Sequence, residues 1–344
     1  MKVSAMTLDR IRRFRRNRRA TVSLWILAIA YLLSLLSPWL VDDKPLVLSV
    51  KGEWSFPAFA FYPESHFGGK YQTEPDYQKL LQQLQETQVQ HWAVMPPIAQ
   101  SPLRAHLLDE GEPPYAPSAQ HLLGTDSHGR DLLARLIHGF RICMSFALVL
   151  TLLSTVLGVA IGAVQGYFGG KFDLFAQRTI EIWSSLPFLY VVILIASIYG
   201  RSFWLLVLIM TAFSWIGLSY YMRGEFLKLR DMTYVKAAKV LGFGPFHILF
   251  KEMLPNAMTP VVTLFPFALI GGITGLTSLD FLGFGLAPPT PSWGELMAQG
   301  LNHLFAPWIA LSTVIALFVT LLLATFVGEG VRDAMDPKSG DRYE

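Results

Sequence analysis

Six long stretches without a charged side chain most constrain what this chain can fold into. Each is long enough to cross the hydrocarbon core of a bilayer, which takes a helix of about 20 residues. Charged residues make up only 15% of the chain, against about 25% in a typical soluble protein. The sequence therefore predicts an all-α membrane protein with six transmembrane helices. The six stretches are residues 22–41, 142–168, 182–200, 202–222, 253–279 and 304–328.

The first 21 residues are strongly basic, with Lys2 and seven arginines. A nucleic-acid-binding arm is an alternative, but a membrane span follows at once, so we predict a cytoplasmic anchor and no nucleic-acid partner. The 22–41 stretch is longer than a signal-peptide core and no small-x-small cleavage site follows it, so we predict that it is retained. The predicted parts are a basic N-terminus (1–21), a first transmembrane helix (22–41), a small extracytoplasmic domain (42–135), a five-helix membrane core (136–330) and a C-terminal segment (331–344).

The distribution of Lys and Arg predicts the orientation of these spans. With the N-terminus inside, the four cytoplasmic segments hold eight, two, six and three basic residues. The two short external links hold only Arg201. Because positively charged segments stay on the cytoplasmic side, both termini and the loop at residues 231–256 are predicted to be cytoplasmic.

That loop is predicted to form two short helices around a turn. Asp231 or Thr233 can cap the first helix, and Gly242 stands where a left-handed residue would end it. Pro245 suits the first turn of the second helix, and Pro255 limits its continuation beyond Leu254. Neither helix would be stable alone in water. An ordinary cytoplasmic loop and a docking element for a partner protein are both open at this point.

Residues 42–135 are rich in proline and aromatic residues, which predicts turns and short extended pieces. Residues 76–89 carry apolar side chains at Leu80, Leu81 and Leu84, the spacing of an amphipathic helix. This domain is interpreted either as a filling of the outer face or as a platform for an external ligand-delivery protein.

Asp126 is predicted to cap a helix that begins near Ser127, with Asp131 in its early turns. A metal site with His121 and His128 is the competing reading, but the spacing is not typical of one, so no metal is predicted. Glu181 stands one turn after Arg178 at the edge of a span, which predicts an interfacial ion pair rather than a proton-coupling carboxylate.

The chain has no phosphate-binding loop of its own. Its two Gly-Lys dipeptides, Gly69-Lys70 and Gly170-Lys171, lack the glycine five positions before and the hydroxyl residue after that a P-loop requires. With no paired catalytic carboxylates or nucleophile motif either, the sequence predicts no enzyme and no cofactor. An ion-coupled secondary transporter is the alternative function, but intramembrane carboxylates and inverted repeats are not found.

Residues 234–256 resemble the EAA loop of ABC-importer permeases, whose pattern is Glu-Ala-Ala, three residues, Gly, then a spaced Ile and Leu-Pro. Lys236 replaces the glutamate of that pattern. The matching residues are Ala237, Ala238, Gly242, Ile248, Leu254 and Pro255. A second motif resembles the segment before the second span in the oligopeptide/dipeptide branch, at Gly124, Thr125, Asp126, Gly129, Arg130 and Asp131.

Further matches to that branch run from about residue 120 to 338. They are Gly139 to Arg141, Gly166 to Gly170 with Asp173, Phe281 to Gly285, Pro288-Pro289, Ser292 to Gly294, Ala306 to Trp308, and Gly328 with Arg332-Asp333 and Asp336-Pro337. The expanded segment after the first span, with Asp43 to Pro45 and Phe67 to Gly69, resembles the Yej-type permeases of peptide and microcin C importers.

The resemblance implies a type I ABC-importer permease fold in the bacterial inner membrane. It implies a second, homologous permease subunit, ATP-binding subunits that bind and hydrolyse the ATP, a periplasmic solute-binding protein and a peptide substrate. The ATPase-coupling residues implied are Tyr234, Val235, Lys236, Ala237, Ala238, Leu241, Gly242, Ile248, Leu254 and Pro255. An apolar knob from Val235, Ala238, Leu241 and Phe246 would seat in the ATPase, and Lys236 would reverse a charge at that contact.

Overall fold

The computed structural model describes residues 5–105 and 111–336, with side chains from residue 8 onward. Lys2, Pro337, Lys338 and Arg342, which entered the sequence argument, lie outside the described residues. The α-helices are α1 (Ala5–Arg16), α2 (Arg18–Leu35), α3 (Ser37–Leu40), α4 (Tyr77–Glu86), α5 (Leu132–Phe168), α6 (Gly170–Ser184), α7 (Phe188–Tyr199), α8 (Phe203–Leu229), α9 (Thr233–Val240), α10 (Pro245–His247), α11 (Leu254–Phe281), α12 (Trp293–Asn302) and α13 (Pro307–Met335). The strands are β1 (Val47–Val50), β2 (Glu53–Ser55) and β3 (His91–Val94).

Five helical stretches among the described residues are long and apolar enough to cross a membrane, and α6 with α7 makes a sixth if that bent pair counts as one span. The five are α2, α5, α8, the run from α10 through α11, and α13. The bend between α6 and α7 is 68° and ends at Pro187, where the lost N–H and the fixed ring break the helix. The prediction of an all-α membrane protein is confirmed.

The chain divides into two compact units, each described here by itself. The first comprises the described parts of Met1–Ala28, Cys143–Ala287 and Leu317–Glu344, and the second comprises Ile29–Ile142 and Pro288–Ala316.

In the first unit, a stripe of glycines on α5 lets α8 approach its backbone. A Cβ atom at Gly158 would lie 2.8 Å from the Trp215 carbonyl oxygen, and one at Gly166 would lie 2.7 Å from that of Arg223. A Cβ at Gly162 would meet the Ser219 carbonyl oxygen. Small residues at four-residue spacing are the usual means of close helix packing in membranes, and they hold this pair of helices together.

In the second unit, the strands form an antiparallel sheet in the order β2-β1-β3. Leu48 of β1 is fully buried against Tyr77, Leu80 and Leu84 of α4, which confirms the predicted amphipathic helix. The carboxylate of Asp76 caps α4 by accepting from the N–H groups of Gln78 and Lys79. The opposite sheet face presents Trp54 and Trp92, which both pair in register with Ser49.

Two local predictions were wrong. The α5 helix begins at Leu132 rather than near Ser127, because Asp126 closes a turn by accepting from His128 N–H and Arg130 N–H. Asp131 caps α5 instead, accepting from Ala134 N–H at 2.8 Å. Pro255 does not end a helix either: it lies at the start of α11, directly after a π-helical segment, and α11 continues to Phe281.

Candidate functional site

The loop at residues 231–256 starts with α9, which follows α8 after a short turn. Met232 occupies the N-cap position without a side-chain cap bond, so the predicted capping by Asp231 or Thr233 is wrong. The backbone satisfies this end instead, since Val235 N–H and Lys236 N–H both donate to the Met232 carbonyl oxygen.

The turn after α9 has the predicted left-handed glycine. Gly242 has φ +81°, a conformation that costs glycine little and other residues more. Phe243 N–H donates to the Ala238 carbonyl and Gly242 N–H to that of Lys239, a Schellman-type closure that ends the helix.

The second helix of the loop does not stop. After α10, residues Ile248–Met253 form a π-helix that continues into α11. Leu254 N–H donates to the Leu249 carbonyl, so the wider π-type ring carries the backbone up to Pro255. The loop is thereby joined without a break to a membrane-length helix.

The base of the loop is buried inside the chain. Val235, Ala238, Ile248, Leu249 and Met253 belong to one apolar cluster of the first unit. Its other buried members come from three membrane helices: Ala163 of α5, Met222 and Phe226 of α8, and Ala257 and Val261 of α11. The loop is therefore held by burial against α8 and α11, whose ends it joins, and against α5.

The tip of the loop, defined as Val240, Leu241, Phe246 and Phe250, is apolar and exposed. The exposed fractions of Val240, Leu241 and Phe246 are 87%, 74% and 78%. A contiguous exposed apolar patch is typical of a protein or membrane contact. The predicted knob is corrected here: Leu241 and Phe246 are exposed, whereas Val235 and Ala238 are buried in the base and cannot reach a partner.

The remaining predicted coupling residues divide between base and surface. Lys236, Ala237, Gly242 and Pro255 are exposed, as is Tyr234, whereas Ile248 is buried and Leu254 partly buried. Lys239 lies over the Tyr167 ring at 5.2 Å. Within the described part of the chain, no ion pair is found for Lys236, so its charge is presented to the surroundings.

The second predicted motif, residues 124–131, is an internal structure of the second unit. Asp126 and Arg130 are both buried, and Arg130 Nε donates to Asp126 Oδ2 at 2.7 Å. His121 Nδ1 lies 2.8 Å from Asp131 Oδ2. Gly124, with φ +78°, leaves room for the Trp308 indole, whose Nε1 donates to the Thr125 carbonyl at 3.2 Å. Gly129 takes the positive φ of the same turn.

Two residues that sequence reasoning missed complete this network. Arg135 is fully buried, and its guanidinium lies 3.2 Å from Asp126 Oδ2 and 2.6 Å from Glu295 Oε2. Glu295 also accepts from Arg130 at 3.1 Å. The available signal was that Glu295 is the only acidic residue between Asp280 and Glu329.

The predicted surface pair is present: Arg178 Nη1 lies 2.5 Å from Glu181 Oε2, with both side chains exposed. Across the described residues, no cluster of three His, Cys, Asp or Glu side chains has the geometry to hold a metal ion.

Comparison with known proteins matches two families. Residues 154–340 match the family described as binding-protein-dependent transport system inner membrane component, and residues 7–49 match the N-terminal transmembrane domain of oligopeptide transport permease C. An inner membrane ABC transporter permease protein YejE of Escherichia coli is 44% identical over 98% of both chains. A peptidoglycan transport system permease protein YejE of Agrobacterium fabrum is 43% identical over 97% of this chain and 94% of its own.

A more distant relative is the oligopeptide transport system permease protein OppC of Haemophilus influenzae, 36% identical over 63% of this chain and 70% of its own. Among solved structures, a chain of the MetNI methionine ABC transporter in an inward-facing form aligns with a TM-score of 0.50. It is 15% identical and covers 60% of this chain and 98% of that one, so it shows the fold alone.

Membership of this family identifies the chain as one subunit of a multi-subunit transporter. A binding-protein-dependent ABC permease works with an ATP-binding subunit and a substrate-binding protein, and is not itself the catalytic subunit. Three observations support the same assignment: the family match over more than half of the chain, the full-length relatives and the apolar helices. The chain therefore belongs to the inner membrane permeases of binding-protein-dependent ABC transporters, in their oligopeptide/dipeptide branch, and is a multi-pass membrane protein.

Proposed function

We propose that this chain is the permease subunit of an ATP-driven importer of peptides, coupled to its ATPase through the loop at residues 231–256. The observation that carries the proposal is the two-part loop: a base buried among three membrane helices and an exposed apolar tip. The exposed apolar tip can bind a partner protein. The buried base can transmit movement of that partner to the membrane helices.

The proposed topology has both termini and the loop in the cytoplasm and residues 42–135 outside. The excess of Lys and Arg on the loop side supports it. It places the tip where ATP-binding subunits are found and the insert where a binding protein delivers its ligand.

The proposed partners are a second, homologous permease, two ATPase domains and a periplasmic solute-binding protein. ATP would be bound and hydrolysed by the ATPase domains, and this chain would hold no cofactor of its own. Closure of the ATPase pair would displace the tips of both permeases. Because the base packs on α5, α8 and α11, that displacement would move the spans and change which side of the membrane the pathway opens to.

Among the loop residues, Lys236 is proposed to set the charge of the docking contact. It is exposed beside the tip and its position is that of the glutamate in the EAA pattern. A cation there fits an acidic side chain on the ATPase, since opposite charges across a contact raise specificity and the rate of association.

The substrate proposal rests on the relatives. The names of the similar proteins assign them to oligopeptide and peptidoglycan transport, so we propose peptides, including those derived from peptidoglycan. The Yej-type resemblance adds peptide antibiotics such as microcin C.

The test changes the turn and leaves the base intact. Gly242→Glu should abolish peptide import while membrane insertion stays normal, because the side chain is forced into a left-handed conformation beside the docking tip. Import is measured as uptake of a labelled peptide by cells that express the whole transporter. The ATPase activity of the purified complex reports coupling.

The matched control is Gly244→Ala, two residues further on. Gly244 has φ −69° and open space at its Cβ position, so this variant should import at the normal rate. Normal import by Gly242→Glu would refute the docking role of the loop, and loss of insertion in that variant would show that Gly242 acts in folding instead.

A further inference from the structure

An aromatic surface lies where the first membrane helix ends. We define the boundary patch as Trp39, Phe56, Phe59 and Phe61, all of them exposed, with Phe59 at 66%. Trp39 and Phe59 stack with ring centroids 5.9 Å apart and planes 23° apart. Four large exposed aromatic rings in one short region are more than scattered surface residues would give.

The patch is held in an ordered turn. Ala58 N–H donates to the Pro45 carbonyl at 3.2 Å, and Phe59 N–H and Ala60 N–H both donate to the Phe56 carbonyl. Residues 55–63 carry no charged side chain. The rings are therefore presented on a fixed, uncharged ridge, rather than on a segment that could fold them inward.

The patch continues the exposed side of the first span. Leu32 at the end of α2, Leu36 in the turn that follows and Trp39 of α3 are all exposed, so an apolar stripe runs past the end of the span. Leu36 lies in a tight turn that joins α2 to α3, since Leu36 N–H donates to the Leu33 carbonyl and Leu40 N–H to the Leu36 carbonyl. This exposed apolar stripe thus leads from the end of the membrane-spanning helix to Trp39, which stacks on Phe59.

We propose that the boundary patch is a membrane contact of the insert, with Phe56, Phe59 and Phe61 placed at the level of the headgroups and upper acyl chains. Tryptophan and other aromatic rings are enriched at this level because they combine an apolar body with favourable interfacial placement. The partner is the lipid surface itself, in the leaflet that surrounds the C-terminal end of α2. The insert would then be fixed in height and tilt against the bilayer.

A second exposed aromatic group provides the contrast. Trp54 and Trp92 are also exposed and meet edge to face at 5.8 Å. They flank Ser49 on the open face of the sheet, and no contact joins them to the exposed stripe of α2 among the ring pairs described. This pair is the matched control for aromatic exposure without continuity to a span.

The test places a nitroxide label at Ala60, which is exposed between two rings of the patch, so that all four aromatic residues stay in place. Cys143 is the only cysteine, and Cys143→Ala gives a background in which Ala60→Cys is labelled alone. The full chain is placed in lipid nanodiscs. Power saturation then compares collisions with oxygen, which concentrates in the bilayer, and with a water-soluble nickel chelate. Gln85→Cys, on the exposed side of α4, is the control position.

The label at position 60 should show a higher oxygen-to-nickel collision ratio than the label at position 85. Adding Phe59→Ser and Phe61→Ser should shift the ratio at position 60 towards the value in water, whereas adding Trp54→Ser and Trp92→Ser should leave it unchanged.

Equal, water-like ratios at both positions would overturn the proposal. So would protection of position 60 from both reagents that develops only when the other transporter subunits or the binding protein are added, because that result assigns the patch to a protein partner.

Discussion

The segment Gly124–Asp131 and the loop at residues 231–256 both follow family sequence patterns, yet the structure uses them differently. In the first, the charged side chains find their partners inside the chain: Asp126 pairs with Arg130 and Arg135. In the second, the apolar side chains divide, with Val235 and Met253 buried and Leu241 and Phe246 exposed.

The difference teaches that a motif match alone does not tell what a residue contacts. Both regions contain several residues that match a family pattern. In the 124–131 segment these residues form an ion-pair network within the chain, whereas in the 231–256 loop some of them form an exposed apolar surface. Burial separates the two, because a side chain buried in its own chain contributes to folding and cannot reach another protein.

The largest expected effect is on the buried network. Arg135→Met leaves the carboxylates of Asp126 and Glu295 with less compensation, and breaking a buried ion pair costs about 3–5 kcal/mol. We expect a marked fall in the melting temperature and yield of the purified chain. Adding Glu295→Gln should recover part of the loss, because it removes one of the two carboxylates that lose a partner, and Arg130 still pairs with Asp126.

The control for this network is the exposed pair of Arg178 and Glu181. Arg178→Met should change the free energy of unfolding by less than about 1 kcal/mol, as exposed pairs do. If Arg135→Met is as stable as Arg178→Met, the 124–131 segment is not the folding element that its burial indicates.

The next prediction concerns a buried carboxylate that lies outside both the 124–131 segment and the 231–256 loop. Asp43 is buried, and its Oδ2 lies 2.5 Å from Arg104 Nη1. Burial raises the pKa of Asp43 to about 6 despite the opposing effect of Arg104. Because the folded state then holds a proton more tightly than the unfolded state, the stabilising contribution is present at low pH and is lost as the pH rises through about 6.

We therefore expect the insert to be less stable at about pH 7.5 than at about pH 5, by an amount on the order of 1–3 kcal/mol. Hydrogen exchange of the β1 amides in the full chain, corrected for the intrinsic effect of pH, measures it. Asp43→Asn should remove this dependence, whereas Glu86→Gln, on exposed α4 surface, should keep it. A persisting dependence in Asp43→Asn would assign it to another group.

The smallest effect on stability, with a large effect on function, is expected at the tip of the loop. Leu241→Ser with Phe246→Ser should change the free energy of unfolding by less than about 0.5 kcal/mol, because both side chains are already exposed. Peptide import and ATPase coupling of the assembled transporter should fall steeply. Val235→Ser, in the buried base, should instead lower the melting temperature, and equal losses in both variants would contradict the division into base and tip.

The sequence alone was sufficient to predict the structural features that depend only on residues close together in the chain. Uncharged length predicted the membrane helices, and Gly242 predicted the end of α9. These follow from hydropathy and backbone geometry within one or two turns, so they need no knowledge of the rest of the fold.

The features that it could not predict depend on distant residues. Arg135 and Glu295 are 160 positions apart, and no local pattern connects them. Asp126 and Asp131 are both good capping residues, and only the turn around Arg130 decides between them. The burial of Val235 and Ala238 likewise depends on α5 and α8, so the amphipathic pattern of α9 could not say whether its apolar face meets its own chain or a partner.

The glycine stripe of α5 has a consequence for how this sequence can diverge over time. At positions 158, 162 and 166 even alanine would collide with the backbone of α8, so the smallest possible change is already excluded. On the exposed side of the same helix, Leu152 and Val156 meet no such limit. We expect substitutions to accumulate on the exposed side of α5, while the glycines that face α8 stay unchanged. Replacing one of these glycines would require α8 to shift away from α5.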